Sequence, residues 1–266
     1  MNLDARAPTI KRTTPGSPAL RTRWRLARSM FPIALALLAA PVIAQEHRAH
    51  QLGEVEFLAS ATGVLIAAPH GLYDTNTAAL AVEAARQLGA GYVVARGFRV
   101  DGVRINVNRP TEGANITSCR REFQSARAKE VYDLYLQAVS AASGGRPLRL
   151  YVEIHGNADP RTAKKVEIAS TGISRAQARS LKDAYPDILV RAQKITPAFA
   201  QLELLVEPLD QVYFNAGCAK QVGILYTNLV PHGIHFEFPR SARESESRDA
   251  TVLLIVEVVR KFLAEM

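Results

Sequence analysis

Six side chains in this sequence have types and spacings that could do chemistry. His70 ends the apolar run GVLIAAPHG that begins at Gly63, and Asp74 follows it by four residues across a Pro-His-Gly turn. His155 ends a second apolar run, LRLYVEIHG, from Leu148 to Gly156. Two imidazole nitrogens and one carboxylate oxygen leave one of zinc's four positions open for water, the pattern of a hydrolytic Zn2+ site. A single histidine at a strand end is commonly just a hydrogen-bonded surface residue, so the metal expectation depends on all three together.

Water attacking a carbonyl at such a site still needs a base, and Glu237 is the candidate. It lies inside the apolar stretch IHFEFPR, where a carboxylate is costly unless it is paired or faces a cleft. The competing reading is an ion pair with Arg240 or another arginine. Asn108 and Arg109, in INVNRP, set a planar guanidinium beside an amide, a pair suited to gripping a carboxylate; a loop ion pair through Arg109 is the alternative. His235 shares the face of Glu237 by strand alternation, and His232 is near it. Arg96 and Arg99 follow a strand end, where either could polarise a carbonyl.

The order of these pieces is informative. A strand ending in PHG, an Asn-Arg-Pro element, a strand ending in IHG and then HFEFPR resemble the N-formylglutamate amidohydrolase family, whose members show similar Pro-His, Asn-Arg-Pro, Asp-x-His-Ser and Glu-x-x-Arg elements. More distantly the order is similar to that of the zinc carboxypeptidases. The resemblance runs from about Gly63 to Arg240. It implies that His70 and His155 are metal ligands, that Glu237 is general base and then acid, and that Asn108 with Arg109 holds a substrate carboxylate. Two departures stand out: the carboxypeptidase His-x-x-Glu is here His-Gly-Leu-Tyr-Asp, and Gly156 follows His155 where the amidohydrolases commonly have serine.

The elements that must position these residues alternate. Gly63 onward suits a strand buried on both faces, Asn76 to Leu88 a helix, and Gly89 to Arg96 a strand, together a parallel crossover unit. A turn-rich segment leads to a long amphipathic helix over roughly Ser118 to Ala141. Strands at Leu148 to Gly156, Val166 to Ala169, Leu202 to Val206 and Ile234 to Phe238 follow, with helices at about Ser174 to Lys194 and Ser247 to Leu263. The expected fold is α/β: a single domain, with a mostly parallel or mixed central sheet flanked by helices. The resemblance makes it zinc-carboxypeptidase-like, of the phosphorylase/hydrolase-like kind. Ligands of open α/β sheets bind beyond the carboxyl ends of the strands, where His70 and His155 fall.

Residues 1–44 read as a signal peptide: a basic stretch with Arg21, Arg23, Arg25 and Arg28, an apolar run from Met30, and small residues at Val42-Ile43-Ala44 for cleavage. The domain is then 45–266, and His47 and His50 fall in a disordered start. Of 33 Lys and Arg and 25 Asp and Glu, seven and one lie in residues 1–44, which leaves 26 and 24. A nearly neutral domain offers no clustered charge for nucleic acid or for a membrane surface. In an oxidising compartment Cys119 and Cys218 are expected to form a disulfide. The function expected is a periplasmic or secreted zinc-dependent amidohydrolase acting on a small-molecule or peptide substrate with a free carboxylate. A non-catalytic periplasmic binding protein that keeps the fold is the alternative. No G-x-S-x-G elbow for a serine hydrolase is present.

Overall fold

The computed structural model describes residues 45–113 and 119–266, which belong to one compact unit. The signal-peptide expectation for 1–44 lies outside the described residues. The chain forms β1 (Gln45–His50), β2 (Gly53–Leu58), β3 (Val64–Ala68), α1 (Thr77–Leu88), β4 (Gly91–Gly97), β5 (Arg99–Val100) and β6 (Val103–Arg104). It continues through α2 (Ala126–Ala142), β7 (Leu150–Gly156), β8 (Lys165–Thr171), α3 (Arg175–Ile195), β9 (Glu203–Val206), α4 (Ala219–Val222), β10 (Gly233–Phe238) and α5 (Arg248–Ala264). The expected α/β domain with a mixed central sheet and flanking helices is what the structure has.

Eight strands make the main sheet in the order β1-β2-β4-β3-β7-β10-β8-β9, and β5 with β6 forms a separate hairpin. The block β4-β3-β7-β10 is parallel, whereas β2 runs antiparallel to β4, and β8 antiparallel to β10. Strand alternation sorts the side chains into two cores. Leu150, Val152, Ile154, Ile234, Phe236 and Phe238 pack with α1, α3 and α5 on one face, while Leu65, Ala67 and Tyr151 pack with α2 on the other. Each fully buried Leu, Ile or Phe contributes about 1.5–3 kcal/mol, so the strand runs that read as apolar in the sequence are held from both faces.

Three local expectations are corrected. The stretch with His47 and His50 is not disordered: it pairs with β2 as an edge strand, from Gln45 opposite Leu58 to His50 opposite Gly53. Its stability comes from ladder hydrogen bonds rather than from an apolar face, which hides it from pattern reading. The long helix starts at Ala126, not near Ser118, because the Ser125 side chain caps it by accepting from the Ala128 amide. Just before it, Phe123 exchanges backbone hydrogen bonds with Glu112. Cys119 and Cys218 are free thiols rather than a disulfide. Cys218 lies within hydrogen-bonding reach of Cys119 and of Glu122, and a thiol, unlike a disulfide, can donate to that carboxylate.

Candidate metal centre

Strand order brings together residues that are far apart in sequence. His70 follows β3 by two residues, β7 is the neighbour of β3, and β10 is the next strand across. In the β7/β10 register Glu237 stands opposite His155 and His235 opposite Glu153, so these four side chains form a square on the α2 face, beneath the carboxyl ends of the parallel strands. Asp74 reaches the same place through a tight turn in which its amide donates to the His70 carbonyl.

His70, Asp74 and His155 are buried, and each offers a ligand atom within 4.8 Å of the others. Asp74 Oδ2 lies 3.2 Å from His155 Nδ1 and 3.4 Å from His70 Nδ1. Nε2 of His70 has no hydrogen-bond partner among the described residues, and Nδ1 has only the long contact to Asp74. A buried polar group without a partner is costly, and two imidazoles and a carboxylate turned toward one point are a donor set that fits zinc. The sequence-predicted trio therefore converges. These side chains open on a cleft of about 1120 Å³ that Tyr73, Arg104, Arg109, His235, Glu237 and Arg240 also line.

The charges follow from burial and partners. Burial holds His70 down to about 3, against the pull of Asp74. Burial also disfavours a charged His155, but the Asp74 and Glu153 carboxylates on its two sides outweigh this and raise it to about 9. Burial pushes Asp74 and Glu153 up; hydrogen bonds from the histidines more than offset it and hold both well below the usual carboxylate range.

Glu237 faces the cleft at 8% exposure and makes no ion pair with Arg240 among the described residues; its neighbours are His235 Nε2 at 3.3 Å and the Asn157 amide at 3.3 Å. Asn108 and Arg109 are engaged within the protein rather than held open as a clamp. Arg109 donates Nε and Nη2 to Glu122 at 2.7 Å each and Nη1 to Asn108 at 3.0 Å, and Asn108 donates to Glu153. Arg96 is bound to Glu56 and Arg99 lies over Tyr73, whereas His232 does not line the cleft.

Three contributors were missed in the sequence. Arg104, on β6, lies 3.9 Å from Asp74 and over the Tyr73 ring. Arg243 donates to the carbonyls of Thr75, Asn157 and Phe238 and so ties the end of β10 to the loops after β3 and β7. A Cβ on Gly156 would sit 2.2 Å from the Arg243 guanidinium carbon, which accounts for glycine after His155. Glu153, two residues before His155 and so on the same face, is the third; this period-two spacing was its one signal.

An α/β domain with a buried His-Asp-His cluster at the strand ends of a mixed sheet is the class that fold and site define. No protein-family model matches the chain, and no curated protein matches it. Among solved structures it is similar to a bacteriophage poly-gamma-glutamate hydrolase, with 12% identity, TM-score 0.46, and coverage of 82% of this chain and 93% of that one. Gene product Atu2144 from Agrobacterium tumefaciens is 14% identical, with TM-score 0.47 and coverage of 77% and 92%. A metallo-carboxypeptidase from Burkholderia cenocepacia is 11% identical, with TM-score 0.39 and coverage of 83% and 65%.

Proposed function

We propose that the chain is an exported, zinc-dependent amidohydrolase, of the N-formylglutamate amidohydrolase or carboxypeptidase kind, that cleaves an amide bond adjacent to a free carboxylate. The observation that carries this reading is the convergence of His70, Asp74 and His155 in the floor of a cleft that Glu237 also lines. His70 Nδ1, Asp74 Oδ2 and His155 Nδ1 are the atoms that would hold the metal. When bound there, zinc supplies a Lewis acid that polarises a carbonyl and acidifies water.

The chain's own residues do the rest. Glu237 takes the proton of the attacking water at a carboxylate oxygen and returns it to the departing nitrogen. Asn157 and His235, each 3.3 Å away, keep that carboxylate turned into the cleft. Arg104 places a cation beside Asp74, where it can orient the carbonyl oxygen. Arg109 retains N–H donors beyond those given to Glu122 and Asn108, although Glu122 already balances its charge. Arg240, exposed on the cleft and without an ion-pair partner among the described residues, adds an uncompensated cation for a substrate carboxylate. Among the described residues no helix is long and apolar enough to cross a membrane.

The test is metal analysis of the purified protein, then hydrolysis of N-acyl amino acids and short peptides before and after chelation and zinc restoration. Zinc near one equivalent and chelator-sensitive release of a carboxylate-bearing amine are expected. Hydrolysis indifferent to the chelator, or protein that takes up no zinc, overturns the proposal.

A further inference from the structure

Glu153 is wholly buried, with 0% exposure, and does not line the cleft. Nevertheless four side chains present polar atoms to its carboxylate. Asn108 Nδ2 lies 3.2 and 3.3 Å from its two oxygens, the Tyr151 hydroxyl 3.2 Å from one, His155 Nε2 3.3 Å and His235 Nδ1 2.8 Å from the other. An ionised carboxylate can only accept, and it has about four lone-pair sites, so each partner must bring a hydrogen and together they fill it. This decides between two readings of the group Glu153, His155 and His235, whose ligand atoms also lie within 4.8 Å of one another. A carboxylate already holding four donors has no lone pair left for a second cation.

We propose that Glu153 is the positioning residue of the centre: one buried carboxylate that sets the tautomer of His155 and the ring orientation of His235, turning His155 Nδ1 to the metal and His235 Nε2 to Glu237. For His155, a hydrogen on Nε2 leaves the Nδ1 lone pair beside Asp74 Oδ2, where the proposed zinc binds. For His235, the bond from Nδ1–H to Glu153 fixes the ring so that Nε2 faces Glu237 Oε1 at 3.3 Å. The two rings stack with centroids 4.1 Å apart, so neither can rotate without displacing the other. The β7/β10 register builds the arrangement, because it sets Glu153 opposite His235 and His155 opposite Glu237. A carboxylate behind a ligating histidine fixes its orientation and strengthens it as a ligand, and loss of such a partner commonly costs ten- to a hundred-fold in metal affinity.

This inference rests on the zinc reading of the His70 cluster, and its tests separate the two. In zinc-loaded wild-type protein, long-range nitrogen–proton correlation spectra should show His155 protonated on Nε2 and His235 on Nδ1. Either ring with the opposite tautomer overturns the inference and leaves the zinc site standing. Glu153→Gln presents an amide N–H to one histidine, so zinc affinity by chelator competition should fall about ten- to a hundred-fold, and the visible spectrum of the cobalt-substituted protein should change. Unchanged affinity with an unchanged cobalt spectrum refutes the assignment, as does wild-type protein that binds a second zinc equivalent which Glu153→Gln loses. If that variant does not fold, the wild-type tautomers alone decide. Wild-type protein that takes up no zinc overturns both this inference and the functional reading.

Discussion

Zinc uptake should be coupled to the loss of one proton from His155. The His155 ring lies between Asp74 Oδ2, 3.2 Å from Nδ1, and Glu153 Oε2, 3.3 Å from Nε2. Burial alone would depress it, but the two carboxylates raise it from 6.5 to about 9, so at pH 7 both its nitrogens carry hydrogen. The Nε2 hydrogen can stay, donated to Glu153, while the Nδ1 hydrogen must leave for a cation to bind. His70, held to about 3, is already neutral and adds no proton cost in this range. Each pH unit below about 9 then costs about ten-fold, so apparent affinity at pH 7 is lower by roughly a hundred-fold, on the order of 3 kcal/mol. The sign is opposite for the metal-free fold. Because His155 is raised, its contribution to stability is fully present below about 6.5 and is lost as pH rises through about 9. Chelator-competition titrations at pH 7, 8 and 9 should show zinc affinity rising about ten-fold per unit and then levelling, and weakly buffered protein at pH 7 should release about one proton per zinc. Affinity that is flat between pH 7 and 9, or no proton release at pH 7, would refute the reasoning.

Glu237→Gln should keep zinc within about threefold of wild type and lower kcat by roughly 10²- to 10⁴-fold, since it removes a proton acceptor and not a ligand; loss of zinc in that variant shows that the role is misassigned. Arg109→Ala should lower stability by roughly 3 kcal/mol in chemical denaturation, because it strips the guanidinium from the buried Glu122 carboxylate; a stable variant with only a raised KM contradicts this. Gly156→Ala must displace Arg243 and loosen its bonds to Thr75, Asn157 and Phe238, at a cost of about 1–3 kcal/mol read as a lowered Tm. Arg240→Gln should raise KM for a carboxylate substrate about ten-fold or more while an amidated analogue is cleaved equally by both enzymes; equal loss on both means that Arg240 does not read the carboxylate.

Much of the fold and part of the site could be read from local pattern. Apolar runs at 63–69 and 148–156 mark strands buried on both faces, and the histidines that end them fall at the carboxyl edge of any parallel sheet built from those strands. Glu237 stands out because a carboxylate within an apolar strand needs a cleft or a partner. Both facts depend only on the period of a strand and the cost of burying charge. Partnership was not legible. The Glu122 that occupies Arg109 lies 13 residues away, and the Glu153 that occupies Asn108 lies 45 away, in a different element. Nothing in the spacing of Asn108 and Arg109 distinguishes an open clamp from an engaged one. The edge strand β1 was likewise invisible, since backbone pairing with β2 holds it and leaves no periodic apolar signature. The square of Glu153, His155, His235 and Glu237 belongs wholly to the tertiary structure. Period two put each pair on one face of its own strand, but only the parallel pairing of β7 with β10 set Glu153 opposite His235. A one-residue slip of that register would have turned the β10 pair to the opposite face, because a strand's side-chain period is two.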